Sequence, residues 1–379
     1  LRQQPAASGK PAAEQGYRTT GIQDLALIYQ GGSHRLDWTV DEFRPYVVHR
    51  FADGSKDWLF DGFLFLEFKD GSGRNYTVGY EKLNARRTEW EWLLDRIFEQ
   101  GKSLSALDRC IGQEIKELGK PAFRHQIVLG LPEAIRGQKD WGKLDGREMD
   151  FSKEEDQIAA TKWYIGELVE RFKAAKYKHL ELSGFYWVAE DTHHCAELTI
   201  PLSEYIHSEG KLFYWIPYWQ AKGHEEWKRL GFDVAYQQPN HFFNHSIPDS
   251  RLDEACATAR RHGMAMEFEF DEKATAAIPN SSYDRMVAYI DHFEKNDVFN
   301  SSAVAYYCGN RGVLTLDESD NPKDKALMDR LARIIQARRY LNYGIPMKNK
   351  TRVVAHRGFG HTDGSAQNSI ASLLKLSLI

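Results

Sequence analysis

No stretch of about 18 consecutive apolar residues occurs in the 379-residue chain, so the sequence carries no membrane-spanning helix. Cysteine is scarce. Cys110, Cys195, Cys256 and Cys308 are far apart and form no CxxC pair, which excludes a zinc knuckle and a disulfide framework and leaves four buried thiols. Charge of one sign is not in excess: 50 Lys+Arg face 54 Asp+Glu, a net charge of −4, with the signs mixed along the chain. The basic stripe that tracks phosphates is therefore missing, and nucleic acid is excluded as a partner. Gly31-Gly32 falls short of the glycine pattern that cradles a nucleotide. The adjacent His193-His194 point apart and lack a third ligand at metal spacing, so no metal is assigned and no cofactor is expected for the folded body.

Aromatic residues, by contrast, are plentiful: 13% of the chain, including 10 Trp and 18 Tyr. Many cluster near the ends of strand-like runs, where indole and phenol rings can pack against the apolar face of a sugar. They can equally be large core residues, and composition does not separate the two.

Short apolar runs alternate with amphipathic stretches, the pattern of repeated βα units around a parallel sheet. The strand candidates are Asp24–Tyr29, Phe60–Phe68, His125–Leu131, His179–Phe185, Leu212–Ile216, Val234–Gln237, Ala265–Phe270 and Ala303–Tyr307. Helices are expected over Val40–Arg50, Thr88–Leu118 with a break near Gly101, Lys153–Lys176, Ile200–Ser208, Glu225–Leu230, Arg251–Arg261, Ser282–Lys295 and Lys323–Arg339. Pro248-Asp249-Ser250, Asn280-Ser281-Ser282 and Asn321-Pro322 supply helix starts, and His262-Gly263 a helix end. Eight strands and eight helices predict an α/β fold, a (β/α)8 TIM barrel over residues 21–340. Residues 1–20 lack periodicity and read as a disordered leader. The chain opens on Leu1, as it would after removal of a signal peptide, and a secreted or periplasmic location is the expectation.

In such a barrel the chemistry sits at the carboxyl ends of the strands. The fourth strand candidate leads directly into Glu190. In the seventh, alternation places Ala265, Glu267, Glu269 and Asp271 on one face and Met266, Phe268 and Phe270 on the other. With the apolar face toward the helices, three carboxylates point along the barrel interior, where crowding and low dielectric raise at least one pKa. Facing carboxylates are the machinery of glycoside hydrolysis. Tyr186, Trp187, Trp215, Tyr218 and Trp219 are candidate sugar platforms, and Gln238, Asn240 and His241 after strand six are candidate partners for hydroxyls. Glu67, at the end of strand two, is either a further cleft carboxylate or a solvated loop residue.

An acid/base Glu after strand four and a nucleophilic Glu after strand seven resemble the large retaining-glycosidase barrel superfamily. That resemblance implies Glu190 as acid/base and Glu269 as nucleophile, with Glu267 as the substitute. Ala189 stands where that superfamily carries Asn. The stretches Gly184-Phe185-Tyr186-Trp187 and Glu267-Phe268-Glu269-Phe270-Asp271 also resemble a glycosidase-like barrel domain of unknown function found in secreted bacterial proteins. After a Gly/Pro/Asn/Lys linker at 341–351, residues 352–379 resemble the first βα unit of the glycerophosphodiester phosphodiesterase family, through His356-Arg357-Gly358 and Asn368. Gln367 replaces the metal-binding Glu of that family. Calcium or magnesium is implied only for the complete phosphodiesterase domain, and this fragment is expected to be inactive. The leading expectation is thus a glycoside hydrolase acting on an oligosaccharide or polysaccharide. The alternative is a non-catalytic glycan-binding barrel fused to a phosphodiesterase that supplies the activity.

Overall fold

A computed structural model describes residues 19–342. Eight parallel strands close into a barrel: β1 (Asp24–Tyr29), β2 (Gly62–Leu66), β3 (His125–Leu131), β4 (Leu180–Trp187), β5 (Leu212–Trp215), β6 (Val234–Gln237), β7 (Ala265–Glu269) and β8 (Val304–Tyr307). Each pairs with its sequence neighbours, and β8 closes on β1 through Asp24↔Val304. The strands read as near-continuous apolar runs because they are covered on both faces, by the barrel interior and by the helices. The interior is filled by Leu25, Leu27 and Tyr29 of β1, Leu64 and Leu66 of β2, and Tyr186, Tyr214 and Tyr236 of β4 to β6. Alternate residues, among them Phe63, Phe185, Phe213 and Phe268, point outward into the helical layer.

That layer comprises α1 (Val40–Val47), α2 (Arg87–Ile97), α3 (Ser103–Leu118), α4 (Glu154–Ala175), α5 (Ala196–Ser208), α6 (Ser250–His262), α7 (Tyr283–Lys295), the short α8 (Val298–Ser301) and α9 (Gly312–Asp317), and α10 (Pro322–Asn342). The expected break near Gly101 separates α2 from α3, with Gly101 at φ +80. α6 carries Arg260, Arg261 and His262 in its last turn, favourable at the negative end of the helix dipole, and stops at Gly263 with φ +67. Two expected helices are corrected. Val48–Arg50 leaves α1 to pair with Lys56–Trp58 as a hairpin, and 225–230 forms only a 3-10 turn at His224–Glu226 followed by irregular backbone. Trp227 is held there by a hydrogen bond from its indole to the carbonyl of His262, 2.9 Å. All four cysteines are free and buried.

One irregularity decides which side chains at the end of β4 turn inward. Between Leu182 and Gly184 the register of β4 against β3 slips, a β-bulge that inserts one residue. Leu180 and Leu182 face the helices before it; after it Phe185 and Trp187 do, while Tyr186 and Val188 turn inward. The phase of the alternation is reversed, and Glu190 follows Tyr186 and Val188 to the interior side. Gly184 is required there: a Cβ would lie 2.0 Å from the carbonyl oxygen of Leu212. At the opposite end of the barrel the buried Arg338 of α10 pairs with Asp24, 3.2 Å, and donates to the carbonyls of Phe299 and Ser302, tying the last helix to the strand bottoms.

Candidate functional site

The carboxyl ends of the strands surround a cavity of about 350 Å³ that contains Glu190, Glu267 and Glu269. The three carboxyls differ in what surrounds them. Glu269, fully enclosed, accepts from the buried hydroxyl of Tyr289 on α7, from the backbone N–H of His241 at 3.0 Å, and from the side-chain amide of Asn240 at 3.4 Å. Burial raises its pKa above the ordinary carboxylate value, and these donors, which favour the ionised form, oppose the rise without cancelling it. Glu267 receives no hydrogen bond among the described residues, and burial together with the charges of Glu269 and Glu190 drives its pKa well above the carboxylate range. Of the two, Glu267 is raised further and is the one that favours its proton more strongly, since it lacks the donors that Glu269 has. Glu190 is pushed up to about 7 by burial, with Glu269 and Asp191 adding to the rise and a hydrogen bond from Gln238 opposing it.

Two amides from the end of β6 join these groups. Gln238 donates through Nε2 to Glu190, 2.9 Å, and to the carbonyl of Ile216, 2.8 Å, and its Oε1 accepts from Asn240 Nδ2 at 3.0 Å. Asn240 adopts φ +48, a left-handed conformation that Asn tolerates and most side chains resist, and it thereby bridges Gln238 and Glu269. The loop behind it is gathered by Arg285 of α7, which donates to the carbonyls of His241, Asn244 (2.9 Å) and Ile247 (2.8 Å).

The opposite wall is aromatic. Tyr29, at the end of β1, meets Phe68 and Tyr307 edge-on at 5.5 Å, Phe68 stacks on Tyr80 at 4.6 Å, and Phe243 packs edge-on against Tyr307 at 5.3 Å. Tyr80 and Phe243 stay 42% and 52% exposed, so their rings rim the mouth. Arg35 also lines the cavity, lying over the ring of Tyr29 and held by Glu67 through two hydrogen bonds of 2.9 and 3.0 Å.

Of the residues singled out from sequence, Glu190, Glu267, Glu269, Tyr186, Gln238 and Asn240 converge on this cavity. Others do not. Trp187 and Trp215 face the helical layer, Trp187 against Phe213 and Trp215 stacked on Phe232, so neither can meet a ligand. Trp219 lies under the guanidinium of Arg251, 4.7 Å away, outside the cavity lining. His241 contributes its backbone N–H, while its ring binds Asp249 at 2.8 Å; Asp249 is thereby diverted from capping α6 with its side chain. Asp271 turns out of the interior row to accept from the N–H of Lys273 at the next turn. Glu67 is neither solvated nor free, being buried and paired with Arg35. Tyr218 borders a second, smaller cavity. The phosphodiesterase-like motif, His356, Arg357 and Asn368, lies outside the described residues, as does most of the leader.

Sequence reasoning missed Tyr29, Arg35, Phe68, Tyr80, Phe243, Tyr289 and Tyr307. Tyr29 and Tyr307 end β1 and β8, where the barrel rule itself points. Tyr289 sits within a helix, and nothing in its local sequence marks it.

No curated protein matches the chain. Among solved structures, a candidate alpha-L-fucosidase from Bacteroides thetaiotaomicron VPI-5482 matches with a TM-score of 0.43 and 13% identity, over 89% of this chain and 98% of that one. A tryptophan synthase alpha-subunit from Pyrococcus furiosus matches with a TM-score of 0.39 and 9% identity, over 83% and 97%. Tryptophan synthase from M. tuberculosis gives 0.40 and 9%, over 86% and 100%. At these values none of the three bears on chemistry. A family model does match most of the chain, residues 24–333, from the first barrel strand into the last helix: the chain belongs to the family described as a domain of unknown function, DUF4855.

Proposed function

We propose that the barrel is a glycoside hydrolase that cleaves an O-glycosidic bond between Glu190 and Glu269. The observation that carries this reading is the unequal treatment of carboxyls in one aromatic-walled cavity. The donors of Tyr289, His241 and Asn240 favour the ionised form of Glu269, while Glu190, pushed up to about 7, keeps a proton to give. Environments that push paired carboxyls apart are how such sites divide acid from base. Glu190 gives its proton to the bridging oxygen, the anomeric C–O bond breaks with its electron pair going to that oxygen, and Glu269 meets the positive charge that develops at the anomeric carbon. Water then supplies a hydroxyl to that carbon and a proton that returns to the carboxyl pair. Glu267, kept neutral, is a donor toward a sugar hydroxyl rather than a third charge.

The test is release of reducing sugar from a panel of polysaccharides and aryl glycosides by the wild type, Glu190→Gln and Glu269→Gln. The expected result is hydrolysis by the wild type, falling about 100-fold or more in both variants. Glycan binding by all three proteins without turnover would instead make the barrel a binding module.

A further inference from the structure

Beyond Glu190 lies a second cavity of about 130 Å³. It shares only Glu190 and Tyr80 with the larger one, so Glu190 stands on the partition between them. Its walls combine apolar and polar surface. Tyr218 and Val78 are 38% and 50% exposed. The ring of Tyr218 is held by its hydroxyl on Asp191, 3.1 Å, and its backbone N–H donates to the carbonyl of Glu190, 3.3 Å, which fixes the end of β5 to the loop that carries the acid. On another wall the buried Glu133 uses one oxygen, Oε2, to accept from Thr77 at 2.7 Å and Val78 at 3.1 Å, while Oε1 has no partner among the described residues.

We infer that this smaller cavity is the leaving-group subsite, built for a sugar ring, and that the substrates are glycans with a sugar on both sides of the cleaved bond. The inference rests on the hydrolase reading. In that reading the anomeric carbon lies with Glu269 in the larger cavity, and the bridging oxygen meets Glu190 at the partition. Whatever is bonded beyond that oxygen enters the smaller cavity. An exposed tyrosine ring offers a stacking face, and the uncommitted oxygen of Glu133 offers a hydroxyl partner, the pair of features by which a sugar rather than a simple alkyl or aryl group is recognised.

Glycosyl fluorides separate the two cavities, because fluoride departs without occupying a ring-sized subsite. The α- and β-fluorides of the common hexoses and deoxyhexoses identify the donor sugar, and an oligosaccharide ending in that sugar then reports on the leaving side. The readout is the ratio of kcat/KM for the oligosaccharide to that for the fluoride. Tyr218→Ala is expected to lower this ratio about 10-fold, mainly through KM. Tyr218→Phe, which keeps the ring, recovers most of it, and Glu133→Gln lowers it by a smaller factor. A ratio unchanged in both Tyr218→Ala and Glu133→Gln would overturn the subsite, while turnover of the fluoride would still uphold the hydrolase. Absence of turnover on every fluoride and oligosaccharide would overturn both.

Discussion

Replacing Glu190 by Gln tests the electrostatics of the site without knowledge of the substrate. The carboxyl moves from the ordinary 4.5 to about 7 on folding, because burial penalises its charged form and Glu269 and Asp191 add repulsion. A displacement of that size corresponds to about 3 kcal/mol. Its sign follows from which form the fold prefers. The folded state binds the proton more tightly than the unfolded chain, so the stabilisation is fully present below 4.5 and is lost as pH rises through about 7. The wild type therefore loses about 3 kcal/mol from this one group between pH 4 and pH 8. Gln keeps the shape and the acceptor for Gln238 Nε2 but has nothing to ionise. Relative to wild type, the variant should gain about 3 kcal/mol of stability at pH 8 compared with its position at pH 4. Urea unfolding followed by tryptophan fluorescence at several pH values from 4 to 8 measures the difference. The reasoning is refuted if the stability difference between the two proteins is the same at every pH, or moves the other way.

Tyr289→Phe removes a donor to the ionised form of Glu269, so kcat/KM should fall about 10- to 100-fold. The acidic limb of its pH profile should move to higher pH, which a loss of packing alone would not do. Gly184→Ala forces a Cβ against the Leu212 carbonyl at 2.0 Å and should cost about 1–3 kcal/mol in thermal unfolding. Because the bulge aims Glu190, its hydrolytic activity should fall further than its stability explains; full activity in a folded Gly184→Ala protein would disprove the role of the bulge.

The barrel was legible because its strands are buried on both faces, which writes them into the sequence as near-continuous apolar runs such as Asp24–Tyr29 and Val234–Gln237, whose limits match β1 and β6. The carboxylates were legible for a related reason: Glu267 and Glu269 are charged residues at inward positions of an otherwise apolar strand, where only chemistry or a partner accounts for them. The tryptophans were not. Whether Tyr186 or Trp187 faces the cavity depends on the phase of β4, and the bulge at Gly184 reverses that phase without leaving any periodic signal. Trp215 precedes inward-facing Ile216 and was misjudged from its place near the strand end alone. Arg35, Tyr80 and Phe243 come from loops whose approach to the cavity is set by tertiary packing, which no local pattern encodes.

The β6 loop explains how a barrel with Ala189 before Glu190 can still organise that carboxyl. Ala189 contributes only its carbonyl, which accepts from the Trp215 indole at 2.8 Å and holds an outward-facing ring. The amides come from Gln238 and Asn240 instead, and each has its hydrogen-bonding groups committed in one direction: Gln238 by the Ile216 carbonyl, Asn240 by its left-handed backbone and by the N–H of Trp219 on its Oδ1, 2.5 Å. Such commitment matters because an amide free to flip would present an oxygen to Glu190 or Glu269 and raise its pKa further, whereas a fixed N–H favours the charged form. The number of fixed donors among the described residues then orders the three carboxyls: none on Glu267, one on Glu190, and three groups on Glu269. That order matches the order of proton affinity the proposed chemistry needs, with a neutral donor, an acid poised near neutrality and an ionised partner. The division of roles in the proposed chemistry thus rests on the β6 loop and the Arg285 that gathers it as much as on the carboxylates themselves.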